Sequence, residues 1–211
     1  QLFVCPFACG RHGAIGAMRQ GFKDRLAYLY VDQNDIVRGY DDQIPGAVEE
    51  LLDALPRRPR VVLIFLSCLD DLIGTDREAL LEVLHGRFPD LRFRICHMNP
   101  ISLDSKSPPP VTIRRRIYSL LEPSETKETS VNSIGNLEAV APECELHRVL
   151  EGLGAGELRH ISRCGTFGEF QRMASSRANL VLSPTGVQAA KDMERALGIP
   201  FLLLPVSYSI G

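Results

Sequence analysis

The amino-acid sequence predicts an α/β protein made of two consecutive Rossmann-like three-layer units with parallel sheets, and three observations carry that expectation. Short runs rich in β-branched residues alternate with amphipathic stretches, which is the pattern of βαβ units. The run Arg60-Val-Val-Leu-Ile-Phe-Leu-Ser67 is continuously apolar at strand length, so both faces of that strand must be covered. From Glu122 to Ser130 the apolar spacing gives way to Glu, Ser, Thr, Lys and Pro, and the alternation then resumes.

In chain order, a strand is expected over 2–8, a helix over 14–22, a short strand over 26–31 and a helix over 45–55. The central strand over 61–67, a helix over 76–88, a strand over 91–96 and a helix over 109–121 complete a first domain, 1–122. Asp76 is placed to cap its helix, and Pro109 at a helix start costs no hydrogen bond. Residues 123–130 read as a linker. The second domain, 131–211, runs strand 131–134, helix 144–153, strand 158–162, helix 167–176, strand 179–182, helix 187–197 and strand 200–205, with Gly198 as a stop signal. A doubly wound domain would enter another helix at Gly211, so the natural protein is expected to continue, and Gln1 in place of Met points to a trimmed chain.

With 211 residues and 45% hydrophobic side chains the chain can bury a sizeable core. No apolar run approaches the roughly twenty residues a bilayer requires, so no membrane partner is expected. Without a charged leader and apolar helix the expected location is cytoplasmic. A net charge of −2 argues against a nucleic-acid partner, and Arg114-Arg115-Arg116 reads as a solvated helix face. The six cysteines, at 5, 9, 68, 96, 144 and 164, favour reduced thiols or metal ligands over a disulfide framework.

Ligands of open parallel sheets bind beyond the carboxyl ends of the strands. Three sets of strand-ending loops qualify: Cys5-Pro-Phe-Ala-Cys9-Gly-Arg-His12-Gly, Leu66-Ser-Cys68-Leu-Asp-Asp-Leu-Ile-Gly74-Thr-Asp76, and the pair Ile134-Gly135-Asn136 with Cys164-Gly165-Thr166-Phe-Gly168. If the first and third strands lie close, Cys5, Cys9 and Cys68 share one crevice edge, and converging soft thiolates suit iron–sulfur or zinc. Gly10 and Gly13 let the backbone turn tightly around a ligand. The competing readings are structural: Cys is often a small buried hydrophobe, His12 can cap or contact backbone, and Asp70 and Asp71 can cap the following turn. Gly152, Gly154 and Gly156 follow a helix instead of opening one, which is the wrong context for a dinucleotide fingerprint.

In order, these loops resemble the nitrogenase component 1 family. Phe65-Leu-Ser-Cys68-Leu-Asp-Asp-Leu-Ile-Gly74-Thr-Asp76 is similar to its T-C-x-x-x-L-I-G-D-D pattern, in which the Cys is a cluster ligand. His12-Gly13-Ala14-Ile15-Gly16 resembles its H-G-P-x-G-C loop, and Asp35-Ile-Val-Arg-Gly39-Tyr-Asp-Asp-Gln-Ile44 its approach to the central strand. Val131-Asn132-Ser-Ile-Gly135, Ala-Asn179-Leu-Val-Leu and Leu197-Gly198-Ile-Pro200-Phe resemble its middle domain. Two positions depart: Ala14 replaces the Pro, and Ala17 stands where that loop carries its ligand Cys.

The resemblance implies a component that accepts electrons from an ATP-dependent iron-protein reductase and relays them through an iron–sulfur cluster, of 4Fe–4S type, shared with a homologous subunit. Cys68, Cys9 and Cys5 are the implied metal ligands with His12 as a further candidate, and Ser67, Gly10 and Gly13 surround the cofactor. A non-catalytic scaffold for metallocofactor assembly, a metal-free binding module and a zinc module remain as alternatives.

Overall fold

The computed structural model describes residues 1–19, 21–99 and 107–204, apart from the His12 side chain. The chain divides into two compact units, Gln1–Pro109 and Pro110–Gly211. Among the described residues each unit is built on a four-stranded, wholly parallel sheet.

The first unit contains strands β1 (Leu2–Cys5), β2 (Ala27–Tyr30), β3 (Val61–Leu66) and β4 (Arg92–His97). Its helices are α1 (Arg11–Arg19), α2 (Gln33–Arg38), α3 (Ile44–Ala54), α4 (Leu69–Ile73) and α5 (Arg77–Arg87). Strand order is β2-β1-β3-β4, with Leu2 opposite both Ala27 and Ile64, and Leu66 opposite His97. Because side chains alternate along a strand, Leu2, Val4, Ile64 and Leu66 face Val48, Leu51, Leu80 and Leu84, while Phe3 turns the other way and stacks on Phe65 with ring centroids 4.5 Å apart. Each of these apolar side chains contributes roughly 1.5–3 kcal/mol by leaving water. Against the Phe3 face, a Cβ on Gly13 would collide with the Phe3 ring and one on Gly10 with Tyr28, whose hydroxyl donates to the Gly10 carbonyl at 2.8 Å. Close packing on the sheet thus accounts for both glycines.

The second unit contains β5 (Val131–Ile134), β6 (Leu158–Arg159), β7 (Ala178–Val181) and β8 (Phe201–Leu203), in the order β6-β5-β7-β8. Its helices are α6 (Pro109–Tyr118), α7 (Glu145–Gly152), α8 (Phe167–Gln171) and α9 (Val187–Leu197), the last ended by Gly198 at φ +65° as its position implied. The division at Pro109/Pro110 falls earlier than the boundary expected at residue 122. Its physical cause is visible: Arg115 pairs with Asp192, Tyr118 stacks on Phe170, and the Gln171 amide donates to the Leu120 carbonyl. The expected linker is also tied to this unit, since Lys127 Nζ donates to the carbonyls of Ala174 and Leu197.

Candidate functional site

The strand order of the first sheet reverses direction between β1 and β3, and the crevice beyond their carboxyl ends is where such sheets bind ligands. Cys5 is the last residue of β1 and is fully buried. The chain then turns, the Cys9 N–H donating to the Pro6 carbonyl, and leaves Cys9 exposed before α1 begins. β3 ends two residues before Cys68, which immediately precedes α4 and is half-buried. Burial pushes the Cys5 thiol up to about 11, with the neighbouring Cys9 sulfur adding to the shift.

Tyr40 lies within electrostatic reach of Cys5 and Cys68. Its side chain is fully buried, and its hydroxyl has no hydrogen-bond partner. Burial first, then the charges of Asp70, Asp41, Cys68 and Cys5, hold its hydroxyl well above the usual phenol range, so both thiols lie within electrostatic reach of one unsatisfied donor. Ser67 is buried beside Cys68, and its Oγ accepts from the Leu69 N–H at 3.5 Å, leaving the hydroxyl hydrogen to be donated. The backbone of His12 lies in α1; its imidazole is outside the described residues. Ala17 also lies in α1.

The acids after Cys68 do not cap α4. Asp70 is buried beneath the helix, with Oδ2 3.2 Å from the Arg77 guanidinium and Oδ1 3.1 Å from His97 Nε2. Asp71 lies 3.3 Å from the same nitrogen and accepts from the Asn99 amide. Burial raises the Asp70 carboxyl above its ordinary range, opposed by His97 and Arg77 and reinforced by Asp71. Among the described residues these three side chains, Asp70, Asp71 and His97, are the group whose potential ligand atoms all lie within 4.8 Å of one another.

The remaining cysteines have local explanations. Cys96 is buried in β4, and Cys144 precedes α7. Cys164 donates to the His160 carbonyl at 3.6 Å, and burial pushes its thiol up to about 11. The segment after it is a capping box, with Thr166 and Glu169 satisfying each other's backbone N–H groups at the start of α8. Neither Tyr40 nor His97 was singled out from the sequence.

Comparison with known proteins converges on one family. A family model of nitrogenase component 1 type oxidoreductases matches residues 2–210. The chain is 26% identical over 176 residues to the nitrogenase iron-molybdenum cofactor biosynthesis protein NifE of Bradyrhizobium diazoefficiens, a match covering 81% of this chain and 31% of that protein. Solved structures of nitrogenase Cp1 at pH 6.5 and at pH 5 superpose with a TM-score of 0.74 at 19% identity, over 96% of this chain and 41% and 43% of theirs. The chain therefore spans about a third of the curated relative and about two fifths of the solved structures. The two parallel sheets have the fold of those structures, and with the family match extending over nearly the whole sequence the chain belongs to the nitrogenase component 1 type oxidoreductase family.

Proposed function

We propose that this chain is part of a nitrogenase-like oxidoreductase component that holds an iron–sulfur cluster at the rim of its first sheet. It receives electrons from an ATP-dependent iron-protein reductase and delivers them to a substrate or metallocofactor. The observation that carries this reading is that Cys5 ends one strand and Cys68 follows the adjacent one, both within electrostatic reach of the unsatisfied Tyr40 hydroxyl at the reversal of strand order.

The residues present fit such a group. Cys68, Cys9 and Cys5 are the thiolates that would hold iron, and a cluster there supplies reversible one-electron storage. Cys5, protonated in the metal-free chain up to about pH 11, releases its proton on ligation, so loading is favoured as pH rises. With a cluster bound, the unsatisfied Tyr40 hydroxyl and the Ser67 hydroxyl would be available as donors to ligating sulfur, which would favour the electron-rich state. Three thiols leave a place for a homologous subunit to complete. Phe7, Val37 and Leu72 offer that subunit an apolar surface: they are 81%, 86% and 78% exposed, Phe7 lies between Cys5 and Cys9, Leu72 is on α4, and α2, which carries Val37, packs on α4.

A second reading, a scaffold on which a metallocofactor is assembled, is supported by the match to a protein named for cofactor biosynthesis. Ala17, standing where the family loop has its Cys, supports a third, a metal-free module. Anaerobic preparation followed by iron and sulfide analysis separates these. Broad visible absorption with stoichiometric iron and sulfide is the expected result; a colourless protein that cannot be reconstituted refutes a cluster, and turnover with a reductase then divides catalyst from scaffold.

A further inference from the structure

Beside the thiol rim stands a second set of metal-competent atoms that the iron–sulfur reading does not use. The geometry points to a binding site for a single divalent first-row cation, held by Asp70 Oδ1, His97 Nε2 and an oxygen of Asp71. Two observations lead there independently. The potential ligand atoms of these three side chains lie within 4.8 Å of one another. In addition, Asp70 Oδ1 and His97 Nε2 are buried without a hydrogen-bond partner although only 3.1 Å apart, and the Asp70 side chain is wholly inaccessible. Two polar atoms that approach so closely yet are misaligned for a hydrogen bond are arranged as neighbouring ligands around a third atom.

Magnitudes agree. Ligand atoms about 2.1 Å from a cation stand about 3.0 Å apart at right angles and about 3.4 Å apart at a tetrahedral angle. The imidazole nitrogen is 3.1 Å from Asp70 and 3.3 Å from Asp71. The surroundings orient the carboxylates: Arg77 holds Asp70 Oδ2 at 3.2 Å and Asp71 Oδ1 at 3.4 Å, and Asn99 donates to Asp71 Oδ2. Two carboxylates outnumber the one guanidinium, so a cation is favoured. One imidazole with two carboxylates selects manganese, ferrous iron or zinc over the softer ions that thiolates prefer.

The test is a Co²⁺ titration of the chelator-stripped, reduced protein, followed by visible absorption and thermal melting. One equivalent is expected to bind with d–d bands, without sulfur-to-cobalt charge transfer, and to raise the melting temperature. His97→Gln and Asp70→Asn should each weaken binding by more than about tenfold, the exposed control Glu82→Gln should leave it unchanged, and Cys68→Ser should retain it even if iron is lost. Asp70 is buried, so the partly exposed His97→Gln, checked for native circular dichroism, is decisive. Absence of saturable binding, unchanged binding in folded His97→Gln, or sulfur bands that vanish in Cys68→Ser would each overturn the site, leaving Asp70 and Asp71 as ion-pair partners of Arg77.

Discussion

The two sheets repeat one strand order, yet the reversal point of the first is lined with reactive side chains while that of the second is closed by backbone. Beyond β1 and β3 lie Cys5, Cys9, Cys68 and the unsatisfied Tyr40. Beyond β5 and β7 the chain packs glycine on backbone. Gly135 has φ +106° and a Cβ there would stand 2.7 Å from the Ser183 carbonyl oxygen, while one on Gly186 would stand 2.7 Å from the Gly135 Cα. Between those strands Asn132 and Asn179 bond to each other at 2.8 Å, with Ser176 and the Met173 carbonyl completing Asn132. Identical topology therefore carries no chemistry by itself; what the strand-ending loops present decides it.

The largest effect that can break this comparison is Gly135→Ala. It combines a disfavoured backbone conformation with a backbone clash, and about 3 kcal/mol or more of stability should be lost. Gly74→Ala, at φ +73° but with open space around it, should cost only about 1 kcal/mol. Urea denaturation measures both, and equal costs would mean that the second reversal point is not closed as described.

Alkaline titration sharpens the comparison next. Cys5 in one unit and Cys164 in the other are both raised to about 11 from an ordinary 9.0. A folded-state value above the unfolded one gives stability that is complete below about pH 9 and lost as pH rises toward about 11. Cys5→Ala and Cys164→Ala should each flatten part of that decline in melting temperature; a decline unaltered in both would assign it to other groups.

A smaller change tests the helix starts. Asp32→Ala removes the capping box of α2 and Thr166→Ala that of α8, and each should cost about 1 kcal/mol. Loss of either cap without measurable destabilisation would show that tertiary packing alone holds that helix.

Nearly all strands and the longer helices were legible, because period-two and period-3.6 apolar spacing is strong over the relevant lengths. Of the short helices, α8 lies within the expected 167–176, whereas α2 and α4 were not legible. α2 spans only six residues, and its signal was the Asp32-x-x-Asp35 capping box, a variant of the more familiar Ser/Thr-x-x-Glu. α4 spans five, set by Gly74 in a left-handed conformation at its end. At the site, Cys5 and Cys68 could be placed at the same edge of the sheet as soon as neighbouring strands were assumed. His97 could not, since only the β3–β4 register, Leu66 against His97, brings it to Asp70, and register is not written in local sequence. Gly10 and Gly13 look in sequence like a ligand loop, and Tyr28 and Phe3 add a packing reason that the sequence does not reveal.

Iron content in Cys68→Ser against Cys164→Ser tests the central claim most directly, because it sets a thiol of the first reversal point against a thiol of the second unit in one fold. After anaerobic reconstitution, Cys68→Ser should lose its iron, sulfide and visible absorption while keeping native circular dichroism, and Cys164→Ser should match the unaltered protein. Equal iron in Cys68→Ser and the unaltered chain would contradict the account.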